Sequence, residues 1–422
     1  MAGLRRLLVD VSPLRESRDF RLLWSSQVFT WLGRQVTIVA LPFEVYVLTH
    51  SSLAVGAIGL AQLLPLLVTG LYAGALADRF DRRRVQFAGK ATVFVAAVAL
   101  SYGAAGGLSI WWFYLWAAVS SVGGTVDQSA RAATMPRLVS RTQFPAAASL
   151  NQILLQGAAI AGPSLAGVLI ATAGGAAPAF ALEAACALPA IALIGFVRPQ
   201  PPVRDASPIG WRAPFDAVRY VLARRLLVGL FTADLVAMIF GLPLAVFPAL
   251  ALNVFHIGPT GLGLLFAAPA AGALLGSLLS GWVNQIERQG LCVIWAVAIW
   301  GGSIAAFGLV GALLPVGLVL LAIAGAGDLF SAVFRNTILQ LSIPDSVRGR
   351  MSAFNLMVVT GGPRLGDVEA GVVAYLVNPV FSVVSGGLAC VAGILLLAAL
   401  LPELRRYRHV PEGTAEPVAV VS

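Results

Sequence analysis

The sequence is poor in lysine, cysteine, histidine and charge of either sign. Its single lysine, Lys90, lies in "FAGKATV". That rules out a Gly-x-x-x-x-Gly-Lys-Ser/Thr phosphate loop, so the chain cannot drive itself with ATP. Cys186, Cys292 and Cys390 fall in separate apolar runs without ligand spacing and read as packing residues. Three scattered histidines argue against zinc or haem, and no cofactor or metal is expected. A membrane enzyme would need clustered His, Cys or paired acids at one face. None is found, and the chain is not expected to be an enzyme. Charged residues make up 11% of the 422, where a soluble domain carries about a quarter.

What is abundant is hydrocarbon: 59% apolar residues and a mean hydropathy of +0.87. The fold class is therefore an all-α membrane protein. Twelve apolar stretches of spanning length are marked, at roughly 22–48, 54–77, 86–106, 110–130, 145–172, 176–196, 226–254, 261–283, 289–311, 315–340, 351–377 and 380–402. The N-terminal stretch is not read as a cleavable signal, because its basic part is long and its apolar core is interrupted. A short surface helix is expected there, with Pro13 or Asp19 near its boundaries.

Of the 28 Lys and Arg residues, 26 fall in or beside segments on one side of this topology. The asymmetry places both termini in the cytoplasm of a multi-pass, twelve-span membrane protein. It also explains the net charge of +9 through anionic lipid headgroups. Nucleic acid is not expected as a partner, since no basic cluster carries an aromatic stacking platform. The run "WWFYLW" at 111–116 reads as an interfacial belt, or less readily as a substrate vestibule. The only long polar, proline-rich interruption is 198–225. It divides the chain into a cytoplasmic segment 1–21, a six-helix bundle 22–197, the linker, a second six-helix bundle 226–403 and a tail 404–422.

The halves superimpose at an offset of 204 residues. Arg131 then meets Arg335, Asn151 meets Asn355, Gly157 meets Gly361 and Gly162 meets Gly366. Two six-span halves in the same orientation are a transporter plan, with substrate near the midplane between them. Small residues one turn apart, at Gly70/Gly74, Ala158/Gly162, Gly272/Gly276 and Gly362/Gly366, allow close helix approach on spans 2, 5, 8 and 11.

The segment "GALADRFDRRRV" (74–85) resembles the loop motif of the major facilitator superfamily, Gly-x-x-x-Asp-Arg-x-Gly-Arg-Arg. Gly74, Asp78, Arg79, Arg82 and Arg83 match, and Asp81 stands where the motif usually has glycine. The resemblance implies a cytoplasmic gate in which Gly74 lets span 2 pack on span 11. Asp78 would latch the start of span 11 and a nearby arginine; Arg131 is counted with this gate, and Arg335, its repeat mate, would serve the gate of the second half. "AAIAGPSLAG" (158–167) resembles the superfamily's antiporter motif through Ala158, Gly162, Pro163 and Gly167, with Ala158 and Ala166 in place of two glycines. That motif goes with export. "RDFRLLWSSQVFTWLG", "ALPFEVYVLTHSS", "SARAATMPRLV" and "LPELRRYR" resemble the siderophore-exporter and macrolide-efflux branch.

Charges inside spans mark the chemistry. One at a helix centre costs about 2.5–3.5 kcal/mol if it faces lipid. Span 11 holds three: Arg364, Asp367 and Glu369. Arg364 and Asp367 are about 60° apart and can pair, while Glu369 points elsewhere. Arg34, Glu44, Asp127, Asp234 and Asp328 occupy spans 1, 4, 7 and 10, which line the cavity in the superfamily; Glu183, in span 6, is read as peripheral. Asp127 and Arg131 are expected to pair at i,i+4. Asp367 or Glu369 is the candidate proton carrier.

The resulting expectation is a monomeric, proton-coupled exporter of a siderophore, antibiotic or other small amphipathic molecule across a bacterial cytoplasmic membrane, working by alternating access. An importer of the same fold, or a non-transporting membrane receptor or lipid-handling protein, would share most of these features.

Overall fold

A computed structural model describes residues 10–201, 213–280, 286–311 and 313–408. Twelve helices carry the architecture. They are α1 (Arg18–Thr49), α2 (Ser52–Arg79), α3 (Arg82–Gly106), α4 (Ile110–Leu138), α5 (Phe144–Ala173), α6 (Ala177–Gly195), α7 (Arg225–Phe240), α8 (Gly258–Leu278), α9 (Gln289–Leu309), α10 (Leu314–Ser342), α11 (Asp345–Leu376) and α12 (Pro379–Leu400). Most ends fall within a few residues of the apolar stretches. The short helix Ser12–Glu16 precedes α1, with Pro13 in its first turn.

Among the described residues, nine helical segments are long and apolar enough to cross a membrane, one of them α7 with its continuation to Val254. The three long helices outside that group are α1, α4 and α11, with 32, 29 and 32 residues. They are long enough to span but more polar, and their polar side chains line the cavity described below. A helix facing water on one side need not be apolar all round.

Turns between helices are short and capped locally. Ser17 accepts the Phe20 N–H at the start of α1, and its hydroxyl donates to Leu138 O at 2.7 Å. Asn378 accepts the Phe381 N–H at 2.8 Å and starts α12. Gly107 and Gly174, at φ of 59° and 73°, end α3 and α5 in the left-handed region that glycine reaches without strain.

The two halves repeat one packing scheme. In the first, α1 packs on α5 and α6, α2 on α4, and α3 on α4 and α6. In the second, α7 packs on α11 and α12, α8 on α10, and α9 on α10 and α12. Each pair recurs six helices later, which is what a parallel repeat requires. Across the halves, α2 packs on α11 and α5 on α8.

α7 does not continue as one α-helix to 254. It stops at Phe240, and the chain passes through Gly241-Leu242-Pro243 into a short 3-10 turn and a π-helical stretch, Leu250–Val254. Pro243 has no N–H to donate and biases Leu242 away from helical backbone. Trp300 of α9 donates to the Gly241 carbonyl at 2.8 Å, satisfying an acceptor at the break. Irregular backbone at membrane depth is tolerated where it lines a cavity, and Leu242, Leu244 and Ala245 do so.

The glycines that join the halves are not the expected ones. A Cβ on Gly371 of α11 would meet Ser52 O of α2 at 2.7 Å and Gly56 Cα at 3.1 Å. One on Gly167 of α5 would meet Pro259 O of α8 at 2.7 Å and Gly263 Cα at 3.1 Å. Gly272 instead abuts Ala322 of α10, and Gly362 and Gly366 abut Met238 of α7, all within the second half. Gly162 packs on Gln35 of α1. Gly70 meets nothing within 4 Å among the described residues. The surroundings of Gly74 and the Asp78 side chain lie outside the described residues, as do residues 1–9 and 202–212 of the linker.

Candidate functional site

Both sets of close glycine contacts lie at one end of the bundle. That end carries the α1–α2, α5–α6, α7–α8 and α11–α12 turns. A hydrogen bond from Asn253 to Tyr46 Oη ties α1 to the segment after α7 at the same end. The opposite face carries the arginine-rich loops, drawn together by short contacts. Gln200 N donates to Asp81 at 3.1 Å, Arg82 N to Gln200 O at 3.2 Å and Arg137 to Pro201 O at 3.1 Å. Asp81, in the motif's usual glycine position, also caps α3 through Arg83 N at 2.9 Å. Toward this face α2 and α11 separate: among the described residues a Cβ on Gly361 would meet only Leu63 at 3.5 Å, and one on Gly70 nothing within 4 Å. The bundle is sealed at one end and opens toward the arginine-rich face.

Inside lies a cavity with two lobes. One, of about 410 Å³, lies mainly against the first half, α11 and the α7 break. The other, of about 800 Å³, lies mainly against the second half and α5. Ile38, Leu242, Leu244, Phe266 and Val359 line both and form an apolar sill between them.

The first lobe holds seven ionisable side chains: Arg34, Lys90, Asp127, Arg131, Glu183, Arg364 and Asp367. Lys90 of α3 is 3% exposed and reaches Asp127 of α4 at 3.2 Å and Thr30 of α1 at 2.8 Å. The expected Asp127–Arg131 pair is thus replaced. Arg131 donates to the Gln27 amide at 3.3 Å and lies over the Trp31 ring, 5.7 Å from its centroid. Arg34 lies over the same ring at 5.5 Å. A helix brings i and i+4 together, but a buried carboxylate takes whichever cation the neighbouring helix supplies. In the sequence only its being the sole lysine sets Lys90 apart.

Arg364 and Asp367 approach to 3.9 Å, as their i,i+3 spacing predicts. The Ala245 N–H, freed by the α7 break, also lies against the Asp367 carboxylate. Both residues sit where α11 crosses α2: a Cβ on Gly59 would meet Arg364 O at 2.5 Å and Asp367 Cβ at 3.2 Å. Glu183 is not peripheral. It lines the first lobe at 4% exposure and accepts a hydrogen bond from Thr37 of α1.

The second lobe holds Asp234, Asp328 and Arg335, with amides from Gln35, Gln152, Gln156, Asn336 and Asn355. Asp234 of α7 and Arg335 of α10 form an ion pair at 2.6 Å, both largely buried. Arg335, like its repeat mate Arg131, reaches back toward the first helix of its own half.

Two acids assigned to the cavity line neither lobe. Glu44 is buried near the sealed end, against the Ala176 N–H before α6. Glu369 is half-buried on α11, away from Asp367. In the loop motif, Arg79 is exposed, while Arg82 is buried and donates to Ala133 O at 3.1 Å. Of the aromatic run, Trp111 is exposed; Trp112 donates to Ala99 O at 2.8 Å and Tyr114 to Ala54 O at 2.7 Å, which makes them packing groups.

Comparison with known proteins agrees with this architecture. The profile of the transmembrane secretion effector family matches residues 9–419. The enterobactin exporter EntS of Citrobacter koseri is 30% identical over 96% of this chain and 97% of its own length. That of Salmonella typhimurium is 29% identical over the same shares. Among solved structures, a POT family transporter in complex with 5-aminolevulinic acid superimposes with a TM-score of 0.76 at 12% identity, covering 92% of this chain and 97% of the other. A bacterial homologue of the iron transporter ferroportin gives 0.70 at 16% identity, covering 92% and 99%. These two likenesses speak for the fold alone. A central two-lobed cavity, a repeated six-helix packing scheme and a profile match along nearly the whole chain converge: the protein is a multi-pass membrane transporter, not an enzyme, and belongs to the transmembrane secretion effector family of the major facilitator superfamily.

Proposed function

We propose that the protein is a proton-coupled exporter of a siderophore-type small molecule, working by alternating access between its two halves, 22–197 and 226–403, joined by the linker 198–225. The arginine-rich face and both termini are cytoplasmic on this reading, and the cavity described above is the inward-open state that loads substrate. One observation carries it. The contacts between halves close at the far end, while ionisable groups line a cavity open to the arginine-rich side. The export direction draws on the relatives and on Ala158, Gly162, Pro163 and Gly167; of these Gly162 packs α5 on α1, Pro163 and Gly167 pack it on α8, and Ala158 is buried.

Asp367 is the acid best placed for coupling. It touches the Arg364 side chain and the α7 break, and it lies at the α2–α11 crossing that must part when the outer end opens. Protonation would remove its attraction to Arg364 and to the Ala245 N–H, and so shift the balance between the two states. Asp328, in the second lobe without an ion pair among the described residues, is the alternative proton site.

The test is transport of enterobactin in proteoliposomes with an imposed pH gradient. Wild-type protein should accumulate substrate against its gradient and stop when the pH difference is collapsed by an ionophore. Asp367→Asn should retain downhill exchange but lose its response to the gradient. Wild-type transport that ignores the gradient would refute coupling, and a full response in Asp367→Asn would move the proton to another acid.

A further inference from the structure

The first lobe carries cations that its own carboxylates do not neutralise. Lys90 is held by Asp127, and Arg364 faces Asp367. Glu183 is occupied by the Thr37 hydroxyl and lies within ion-pair distance of no cation among the described residues. Arg34 and Arg131 remain. Among the described residues, Arg131 hydrogen-bonds only the neutral Gln27 amide and lies over the Trp31 ring; Arg34 has the same ring and no hydrogen bond or ion pair, and Glu183 and Asp127 act on these guanidiniums only from beyond ion-pair distance. Two guanidinium groups converge on one indole, in a lobe rimmed by apolar side chains.

We infer that Arg34 and Arg131, oriented by Trp31, form the binding site for an anionic oxygen group of the transported molecule, whose apolar body lies across the sill of Ile38, Leu242, Leu244, Phe266 and Val359 into the second lobe. The inference rests on the transporter reading above and narrows the substrate to amphipathic organic anions. The physical reason is desolvation. A guanidinium deep in a membrane protein without a counterion is costly, and an entering carboxylate, catecholate or sulfonate supplies one. The guanidinium's planar fork of donors suits two acceptor oxygens, and such charge-assisted bonds are about twice as strong as neutral ones. The ring holds both cations in place by cation–π contact, so less side-chain freedom is lost on binding. The second lobe's amides accept a polar, uncharged far end, whereas Asp328, the acid left there once Asp234 is paired with Arg335, disfavours a second anion.

The experiment is calorimetric titration of the full chain in nanodiscs with three probes that share one ring system: 1-naphthoate, 1-naphthamide and 1-naphthylmethylammonium. The expected result is at least tenfold tighter binding of naphthoate than of naphthamide, with the ammonium weakest. Arg34→Gln/Arg131→Gln should reduce the naphthoate preference to under threefold, and Arg34→Lys/Arg131→Lys should restore part of it by charge alone. The wild-type ranking needs no variant to fold, so it stands as a test by itself. Equal binding of the three probes, a preference for the ammonium, or a naphthoate preference that survives in the folded Gln variant would each overturn the site. If naphthoate is preferred but proteoliposomes transport nothing, the transport reading fails and the anion site stands. If enterobactin is transported while the ammonium probe wins, the anion site alone fails.

Discussion

The seal at one end of the cavity depends on glycine, and adding a single methyl group there should open it. In Gly167→Ala the new Cβ would meet Pro259 O at 2.7 Å and Gly263 Cα at 3.1 Å, both backbone atoms that cannot rotate away. Forcing a methyl into such a contact costs about 1–3 kcal/mol. The cost applies only while α5 and α8 touch at that level; once the outer end opens, the methyl meets nothing. The equilibrium between the two states should therefore shift by about 5–150-fold toward the outer-open form. Gly371→Ala works on the other crossing, against Ser52 O at 2.7 Å and Gly56 Cα at 3.1 Å, and the two shifts should add because the sites share no partner. Gly157→Ala is the control, since its Cβ would meet nothing within 4 Å. The assay is double electron–electron resonance between labels at Ala173 and His256, in a background with the three cysteines replaced. The longer-distance population should grow in Gly167→Ala, grow further in the double variant, and stay at wild-type level in the control. A folded Gly167→Ala protein with an unchanged distance distribution would show that the crossing can absorb the methyl and that this contact is not what seals the end.

Two further outcomes follow from buried partners. Asp234→Ala strands Arg335 and Lys90→Met strands Asp127; each should cost about 3–5 kcal/mol, seen as a lower thermal midpoint in detergent, and the double variants Asp234→Leu/Arg335→Met and Lys90→Met/Asp127→Leu should recover most of the loss. Equal midpoints for single and double variants would mean the pairs are not energetically coupled. Trp300→Phe leaves the Gly241 carbonyl without its donor, at about 1–3 kcal/mol, and should speed amide exchange in 241–254 while the rest of α9 stays protected; uniform exchange would refute a local role for that bond.

The charged residues show how far a one-dimensional reading reaches. Arg364 and Asp367 share one helix, so their approach follows from helical spacing alone. Asp127 and Arg131 obey the same spacing, yet Asp127 pairs with Lys90, because α3 and α4 cross where Gly89 and Gly123 let the backbones close: a Cβ on Gly89 would meet Gly123 O at 2.7 Å. The number of its helix makes Glu183 peripheral, but the rotation of α6 against α1 turns it into the cavity. Glu44 and Glu369 sit on cavity helices and point away from both lobes. Which helix carries a charge is written in the chain; which way that charge faces is set by packing.

The glycine pairs teach the same lesson. Spaced small residues mark helices able to approach closely, and α2, α5, α8 and α11 do join the halves. The contacts themselves use Gly56, Gly59, Gly371, Gly167 and Gly263, while Gly272, Gly362 and Gly366 pack within one half. Hydrophobic runs, the arginine-rich side, the repeat and the motif segments are properties of the linear chain, because the bilayer reads hydrocarbon and charge segment by segment. The sealed end, the two-lobed cavity, the Lys90–Asp127 and Asp234–Arg335 pairs and the two guanidiniums over Trp31 are not. They depend on crossing angles and rotations of helices that meet tens or hundreds of residues apart, and only the assembled bundle determines those.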